Sequence, residues 1–429
     1  MMKSLLKTPL AGACAALATL TGLLASAPSQ AVSLSQDAQG QVLLYPYFTV
    51  RGGTDTYLSL LNGSNKPILA LVRFRASADS AKVYEFLLWL AARDQWTGGV
   101  TATAGGAKLI SSDQSCAKPS IPAAGLAFAS EGSSEAAMDI TREGSFEVFE
   151  LGEVKYQAII DALQPPTITD KRSCTWTVTP GSEALGPPTG ALSGTATLIN
   201  VAAGTQYSYE PVVLDQFSDR TLWAGATLAD ANPPTSQVLD KGRVVTSTWD
   251  NGTDAVSAVL MHTSLINEFV LEPTTLSGTD WVVSMPTQER YRNDPFLWQT
   301  PFAAGKCQYQ MHPYDLPYWS REGISDDVEI WMTPPPATPM ICNDVSVLTF
   351  NNSNLLGSIH GENLETNLDN GWAEFALEGK LVSLENHIYH GLPVTGFMVH
   401  DFVNGNVGGL LSNYGGNFEH KYTTVIETP

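Results

Sequence analysis

Positive charge and long hydrophobic runs are scarce in this sequence. Its 429 residues include 23 Lys and Arg against 43 Asp and Glu, which gives a formal net charge of −20. Because so acidic a surface repels phosphate backbones and anionic lipid, we expect no nucleic-acid partner. Beyond residue 24, no stretch reaches the roughly 20 apolar residues that a membrane-spanning helix needs.

The common catalytic motifs are also missing. The sequence has no G-x-S-x-G elbow, no H-E-x-x-H, no Walker loop and no G-x-G-x-x-G after a predicted strand. The Asp- and Asn-rich run 250–254 lacks the third ligand and the closing Glu of a calcium loop, so it favours a polar hairpin turn. We expect no cofactor, and calcium stays open without a complete motif. These absences favour a non-enzymatic protein and leave catalysis undecided.

Residues 1–31 have the pattern of a secretory signal peptide. Lys3 and Lys7 precede an apolar stretch over residues 10–24, and small residues around Ala31 fit a cleavage site. The stretch of about fifteen residues is shorter than a spanning helix, and we expect no transmembrane segment in the mature chain. We therefore expect export through the inner membrane, with a cell-surface or extracellular location favoured over a periplasmic one.

The cysteines agree with an oxidising compartment. Four remain beyond residue 31, namely Cys116, Cys174, Cys307 and Cys342. An even number in an exported chain predicts two disulfides. Three pairings are possible, and we favour Cys116–Cys174 with Cys307–Cys342 because each pair lies within one half of the chain. A zinc site is disfavoured because the sequence contains no C-x-x-C.

Short runs with apolar side chains at alternate positions recur along the chain, each bounded by Gly, Asn, Asp or Pro. Short strands with turns between them are typical of sandwiches and barrels. We therefore predict a mainly β protein of antiparallel β-sandwich domains, Ig-like or jelly-roll, with few short helices. In the run 67–75 (PILALVRFR), we expect the apolar side chains to be buried and Arg73 and Arg75 to face water.

One helix and one domain boundary stand out from this pattern. Residues 151–163 have helical spacing, and Pro165 and Pro166 would end the helix. The Pro-rich break at 186–188 is the best boundary in the chain. We predict a signal peptide over 1–31, an N-terminal β-sandwich domain over 32–188 and a C-terminal β-rich domain over 189–429.

An aromatic, Pro-rich segment between residues 291 and 319 lacks periodicity, which predicts a long loop. Aromatic faces on such a loop can stack on sugar rings or anchor a protein partner. Alternatively, the loop folds its aromatic side chains back into a satellite core. The candidate ligand-binding residues are Tyr291, Trp298, Tyr314, Tyr318 and Trp319.

Metal ligation has weak candidates in the C-terminal segment, where His387, His390, His400 and Asp401 lie close in sequence. The spacing of His387 and His390 would place both rings on one face of a helix but on opposite faces of a strand. Because the surrounding sequence has the pattern of strands and loops, we expect no metal site.

Five sequence motifs are similar to motifs of a known protein family. They are residues 45–50 (YPYFTV) followed by 52–56 (GGTDT), 267–269 with 279–287, 348–354, 391–397, and 413–416 with His420. Together they resemble a family of exported, functionally uncharacterised proteobacterial proteins. The resemblance implies export from a Gram-negative cell and brings no catalytic residues. Residues 55–90 also resemble, more loosely, an Ig-like strand pair.

Three functions fit these observations. The leading hypothesis is an exported cell-surface or extracellular protein with a structural, adhesive or binding role and no evident catalytic site. The second is a secreted carbohydrate-binding protein or glycan hydrolase, with Asp326, Asp327 and Glu329 beside the aromatic segment. The third is a subunit of an extracellular filament or layer, joined through strand edges. Glycans or other surface proteins are the expected partners, and the oligomeric state stays open.

Overall fold

The computed structural model describes residues 30–129, 138–163, 183–291, 317–325, 341 and 343–429. These residues form many antiparallel sheets and few helices, which confirms the predicted mainly β class. The α-helices are α1 (Gln157–Ala162), α2 (Gly252–Leu260) and α3 (Gln288–Tyr291), and short 3-10 turns cover Ile140–Arg142, Leu228–Asp230 and Pro273–Thr275. Among the described residues, no helix combines the length and apolar composition that crossing a membrane requires.

The strands divide into two series along the chain. The first comprises β1 (Ser33–Leu34), β2 (Val42–Thr49), β3 (Asp55–Asn62), β4 (Ile68–Ala76), β5 (Lys82–Leu90), β6 (Gln95–Ala102), β7 (Ala107–Ile110), β8 (Cys116–Lys118), β9 (Leu126–Ala127), β10 (Glu143–Glu153), β11 (Leu192–Asn200), β12 (Thr205–Tyr209) and β13 (Val212–Asp215). The second comprises β14 (Thr235–Asp240), β15 (Arg243–Thr248), β16 (Met261–His262), β17 (Ser264–Val270), β18 (Thr279–Ser284), β19 (Tyr318–Ser320), β20 (Val345–Phe350), β21 (Gly361–Leu364), β22 (Asn370–Ala376), β23 (Lys380–Val382), β24 (Ile388–His390), β25 (Leu392–Pro393), β26 (Thr395–Phe402), β27 (Asn406–Val407), β28 (Leu410–Leu411), β29 (Tyr414–Glu419), β30 (Lys421–Thr423) and β31 (Ile426–Glu427).

The first series builds two large sheets around one core. The seven-stranded sheet has the order β1-β13-β2-β10-β4-β5-β8, and the six-stranded sheet has the order β12-β11-β3-β6-β7-β9. Side chains from both sheets, such as Val72 and Phe146 from one and Leu58 and Trp96 from the other, share this hydrophobic core. Strands β11 to β13 follow the predicted boundary at residue 188 and complete these two sheets.

The seven-stranded sheet is covered on its second face as well. Helices α1 and α2 and the segment 217–231 pack against side chains such as Leu71 and Phe149. A sheet covered on both faces has continuous apolar strands rather than alternating ones. The expectation that Arg73 and Arg75 face water is wrong for this reason. The Arg73 guanidinium lies under this layer and donates to the Ala226 carbonyl. Arg73 and Arg75 both pair with Glu147, at 3.0 and 2.8 Å.

The second series forms a five-stranded sheet, β21-β20-β18-β26-β29, and a four-stranded sheet, β19-β22-β17-β30. Trp281 and Phe350 from the former and Phe269 and Phe375 from the latter share a second core. The opposite face of the five-stranded sheet contributes residues such as Phe397 to the first core. The five-stranded sheet is therefore buried on both faces and joins the two series. Small sheets of two or three strands complete the described fold.

Two local expectations need correction. The helix predicted over 151–163 is only α1, because residues 151–153 continue strand β10. The run 250–254 is not a hairpin turn. The Asn251 side chain accepts a hydrogen bond from the Asp254 N–H at 3.0 Å and so caps the start of helix α2. Pro165 and Pro166 lie outside the described residues.

Candidate functional site

Trp319 and Trp372 form a stacked pair on the surface of the four-stranded sheet. They lie opposite each other on the neighbouring antiparallel strands β19 and β22. Their ring centroids are 3.9 Å apart and the ring planes differ by 16°. Trp372 is 37% exposed, and Trp319 is partly buried. Paired indoles that stay at the surface resemble the aromatic anchors of binding interfaces.

The sequence of β22 places Trp372 at the surface. Gly371, Ala373 and Phe375 are buried, while Trp372 and Glu374 between them point away from the core, as the period of two requires. A side chain at Gly371 would collide with the carbonyl of Trp319. Glycine therefore lets β19 approach closely enough for the two indoles to stack.

Two carboxylates stand beside the indole pair. Glu268 on β17 lies opposite Trp372 on the side away from Trp319, and Glu374 follows Trp372 on the same face of β22. Glu268 is exposed and Glu374 is partly buried. Burial lowers the pKa of His400, and the negative charge of Glu268 partly offsets this. The result is a surface that combines flat apolar rings with negative charge.

The other aromatic candidates do not share this surface. Tyr291 is buried, its hydroxyl donates a hydrogen bond to Asp254 at 2.6 Å and lies 2.9 Å from the Ser257 hydroxyl, and burial raises its pKa. Tyr318 is buried in the second core against Phe269. Both rings are thus core residues, as the alternative interpretation of the segment supposed. Trp298, Tyr314 and the acids Asp326, Asp327 and Glu329 lie outside the described residues.

Trp372 is the functional candidate that the sequence analysis missed. The strand pattern of 370–376 was sufficient to place a tryptophan on its polar side, next to an acid. The pairing of this strand with β19 was not available from the pattern, because the two strands are distant in sequence.

The weak metal candidates are held apart. His387 bonds Ser247 through Nδ1 at 2.8 Å, and His390 lies 3.1 Å from a Glu427 carboxylate oxygen. His400 and Asp401 are consecutive on strand β26, so their side chains point to opposite faces. In the part of the chain that the structure describes, no three His, Cys, Asp or Glu side chains converge as metal ligands.

Carboxylates with raised pKa values are structural. Burial raises the pKa of Asp280 to about 6, and this side chain accepts hydrogen bonds from the Ser353 hydroxyl at 2.6 Å and the Leu356 N–H at 3.0 Å. Burial also raises the pKa of Glu150, which accepts bonds from the backbone of Thr189 and Gly190. The two acids belong to different sheets, so they do not form a catalytic pair.

A cavity of about 470 Å³ lies beside Arg51, Arg142 and the glycines at 52, 53 and 357. Asp139 lies 2.9 Å from a guanidinium nitrogen of each arginine. Glu143 also lies 2.9 Å from Arg51 Nε, so the positive charges beside this cavity are paired with carboxylates of the protein.

Cys116 is buried on strand β8. Cys174, Cys307 and Cys342 lie outside the described residues, as do residues 1–29 of the predicted signal peptide. The predicted pairing of the cysteines therefore stays a prediction. Val32 is the first residue after the predicted signal peptide. Its carbonyl accepts a hydrogen bond from the Gln237 N–H, and its N–H donates one to the Thr235 carbonyl, both at 2.8 Å.

Comparisons of the chain with family models, with curated proteins and with solved structures found no match. The resemblance to a family of exported proteins stays a prediction. The case for a site rests on the geometry of Trp319, Trp372 and their neighbours.

Proposed function

We propose that this chain is an exported cell-surface or extracellular protein with a binding role, and that the Trp319–Trp372 pair belongs to its contact surface. The observation that supports the proposal most is the stacking of two indoles at 3.9 Å on an outer sheet face. Covering a tryptophan at an interface removes a large apolar area from water, and tryptophans are enriched among residues that dominate binding. The signal-peptide pattern supports export.

Carbohydrate is the ligand class that this surface favours. Sugar rings present C–H faces that pack on indoles, and carboxylates such as those of Glu268 and Glu374 accept hydrogen bonds from hydroxyl groups. We further propose that the paired sheets are sandwiches of the Ig-like or jelly-roll kind.

Retention of the purified mature chain on immobilised polysaccharides tests the proposal. Trp372→Ala should lose most of the retention. Trp223→Ala is the matched control, because Trp223 is 51% exposed and lies in the segment that covers the seven-stranded sheet. Equal retention of wild type and Trp372→Ala would refute the role of the pair. Fractionation of the native cell tests export, and recovery from the cytoplasm would contradict it.

A further inference from the structure

Three side chains stand in one row across the four-stranded sheet, in the order Trp319, Trp372 and Glu268. Neighbouring strands lie about 4.8 Å apart, and the indole centroids are 3.9 Å apart with nearly parallel planes. The rings therefore stack along the direction from strand to strand. Trp319 covers one face of the Trp372 indole, and Glu268 is the neighbour of Trp372 on the other side in the register of the sheet.

The space between this indole face and the Glu268 carboxylate has the chemistry of a cation site. Cations are attracted to the negative face of an indole, and a carboxylate strengthens the attraction through a charge-assisted hydrogen bond. Within the described residues, neither Glu268 nor Glu374 has a hydrogen-bonded or ion-paired partner for its carboxylate. The slot is thus lined by negative charge that the described protein does not neutralise.

Basic residues near this face lie at its margins. Lys421 is on the edge strand β30, opposite Ile266 rather than Glu268. Arg321 follows β19 and interacts electrostatically with Glu272. The chain as a whole carries a formal net charge of −20. Acidic ligands would therefore be repelled, and neutral ligands would gain stacking and hydrogen bonds but no attraction between charges.

We infer that the Trp372–Glu268 slot binds an ammonium group, and that the ligand is a glycan with free amines. This inference rests on the proposed function. An amino-sugar ring carries both complementary features on one rigid unit, a C–H face for Trp372 and an ammonium group for Glu268. A lysine side chain supplies the ammonium group alone, on a flexible stem whose ordering costs more conformational entropy.

Calorimetric titration of the mature chain with three oligosaccharides tests the inference. The probes are a glucosamine hexamer, an N-acetylglucosamine hexamer and a cellohexaose, at a pH that protonates the free amines. We expect the glucosamine hexamer to bind about tenfold more tightly than either neutral probe. Glu268→Gln should remove this preference, whereas Glu365→Gln, at an exposed position just after strand β21, should leave it unchanged.

Each outcome separates the inference from the proposed function. If neutral and amine-bearing hexamers bind equally and Glu268→Gln has no effect, the cation site is refuted while glycan binding stands. If a lysine hexapeptide binds and the glucosamine hexamer does not, the ligand is a basic protein segment and the inference is wrong. If Trp372→Ala binds every probe as the wild type does, with an unchanged melting temperature, the proposed function fails as well.

Discussion

The Asn417 side chain on β29 bonds both backbone groups of Ser208 on β12. Its Oδ1 accepts from the Ser208 N–H at 3.1 Å, and its Nδ2 donates to the Ser208 carbonyl at 2.6 Å. Strand β12 is an edge of the six-stranded sheet, where backbone groups would otherwise lack a strand partner. One amide thus imitates a neighbouring strand and joins this edge to the five-stranded sheet.

Replacing Asn417 by Ala should weaken this junction. The variant leaves the Ser208 N–H and carbonyl without their side-chain partner, and we expect a loss of about 1–3 kcal/mol in the free energy of unfolding. Urea unfolding measures the loss, with Asn406→Ala, at an exposed position on β27, as the control. Coincident unfolding curves for Asn417→Ala and the wild type would show that the junction does not depend on this amide.

The disulfide prediction can be tested directly. The native mature chain should be lighter than its fully reduced form by four hydrogen atoms, because an even set of four cysteines forms two bridges. Peptide mapping without reduction should recover Cys116 linked to Cys174 and Cys307 linked to Cys342. Recovery of Cys116 joined to any other cysteine would contradict the preferred pairing while keeping the oxidising compartment.

The strands themselves were predictable from the sequence, because local alternation and turn residues determine where strands form. The run of β4 illustrates the limit. Its pattern predicts a strand, yet whether Arg73 meets water depends on the segment 217–231, which packs on it from far along the chain. The buried ion pair of Arg73 and Glu147 depends on the tertiary structure, so no local sequence pattern predicts it.

The candidate site was likewise only partly predictable from the sequence. Trp319 was one of the predicted ligand-binding residues. The paired surface also requires Trp372, which a different strand supplies. Tyr291 and Tyr318 are aromatic residues of the same segment as Trp319, yet they are core residues. Helix α2 was missed because its capping residues Asn251 and Asp254 are also typical of turns.

His420 should make the fold sensitive to acid. The ring is buried, accepts from the Asn267 side-chain amide at 3.0 Å and donates to the Val282 carbonyl at 2.9 Å. Burial lowers its pKa to about 4 from 6.5. Since the unfolded chain binds the proton more tightly, the free energy of unfolding should fall as pH falls from about 6.5 to about 4.

Urea unfolding at several pH values measures this dependence. His420→Gln keeps one acceptor and one donor but does not titrate, so its unfolding should vary less with pH in that range. His360→Gln, at a partly exposed position, is the control. His262, whose pKa burial also lowers to about 4, should leave a residual dependence in the variant. An unchanged pH profile in His420→Gln would mean that the ring is not held neutral.

Asp280 should act in the opposite direction over nearly the same range. Its buried carboxyl has a pKa of about 6, against an ordinary value of 3.8, because burial disfavours the charged form more than its hydrogen bonds favour it. The folded chain therefore binds this proton more tightly than the unfolded chain. Its contribution to the free energy of unfolding is complete below about pH 4 and is lost as pH rises through about 6.

Asp280→Asn isolates this contribution, because all other titrating groups stay in place. Relative to the variant, the wild type should lose about 1.4 kcal/mol per pH unit between pH 4 and 6, and roughly 2–3 kcal/mol over the range. The comparison uses the slope of unfolding free energy against pH, since the amide changes the bonds to Ser353 and Leu356 by an amount independent of pH. Parallel plots of unfolding free energy against pH for the wild type and the variant would show that ionising the Asp280 carboxyl costs little free energy. Water would then have to reach this buried side chain.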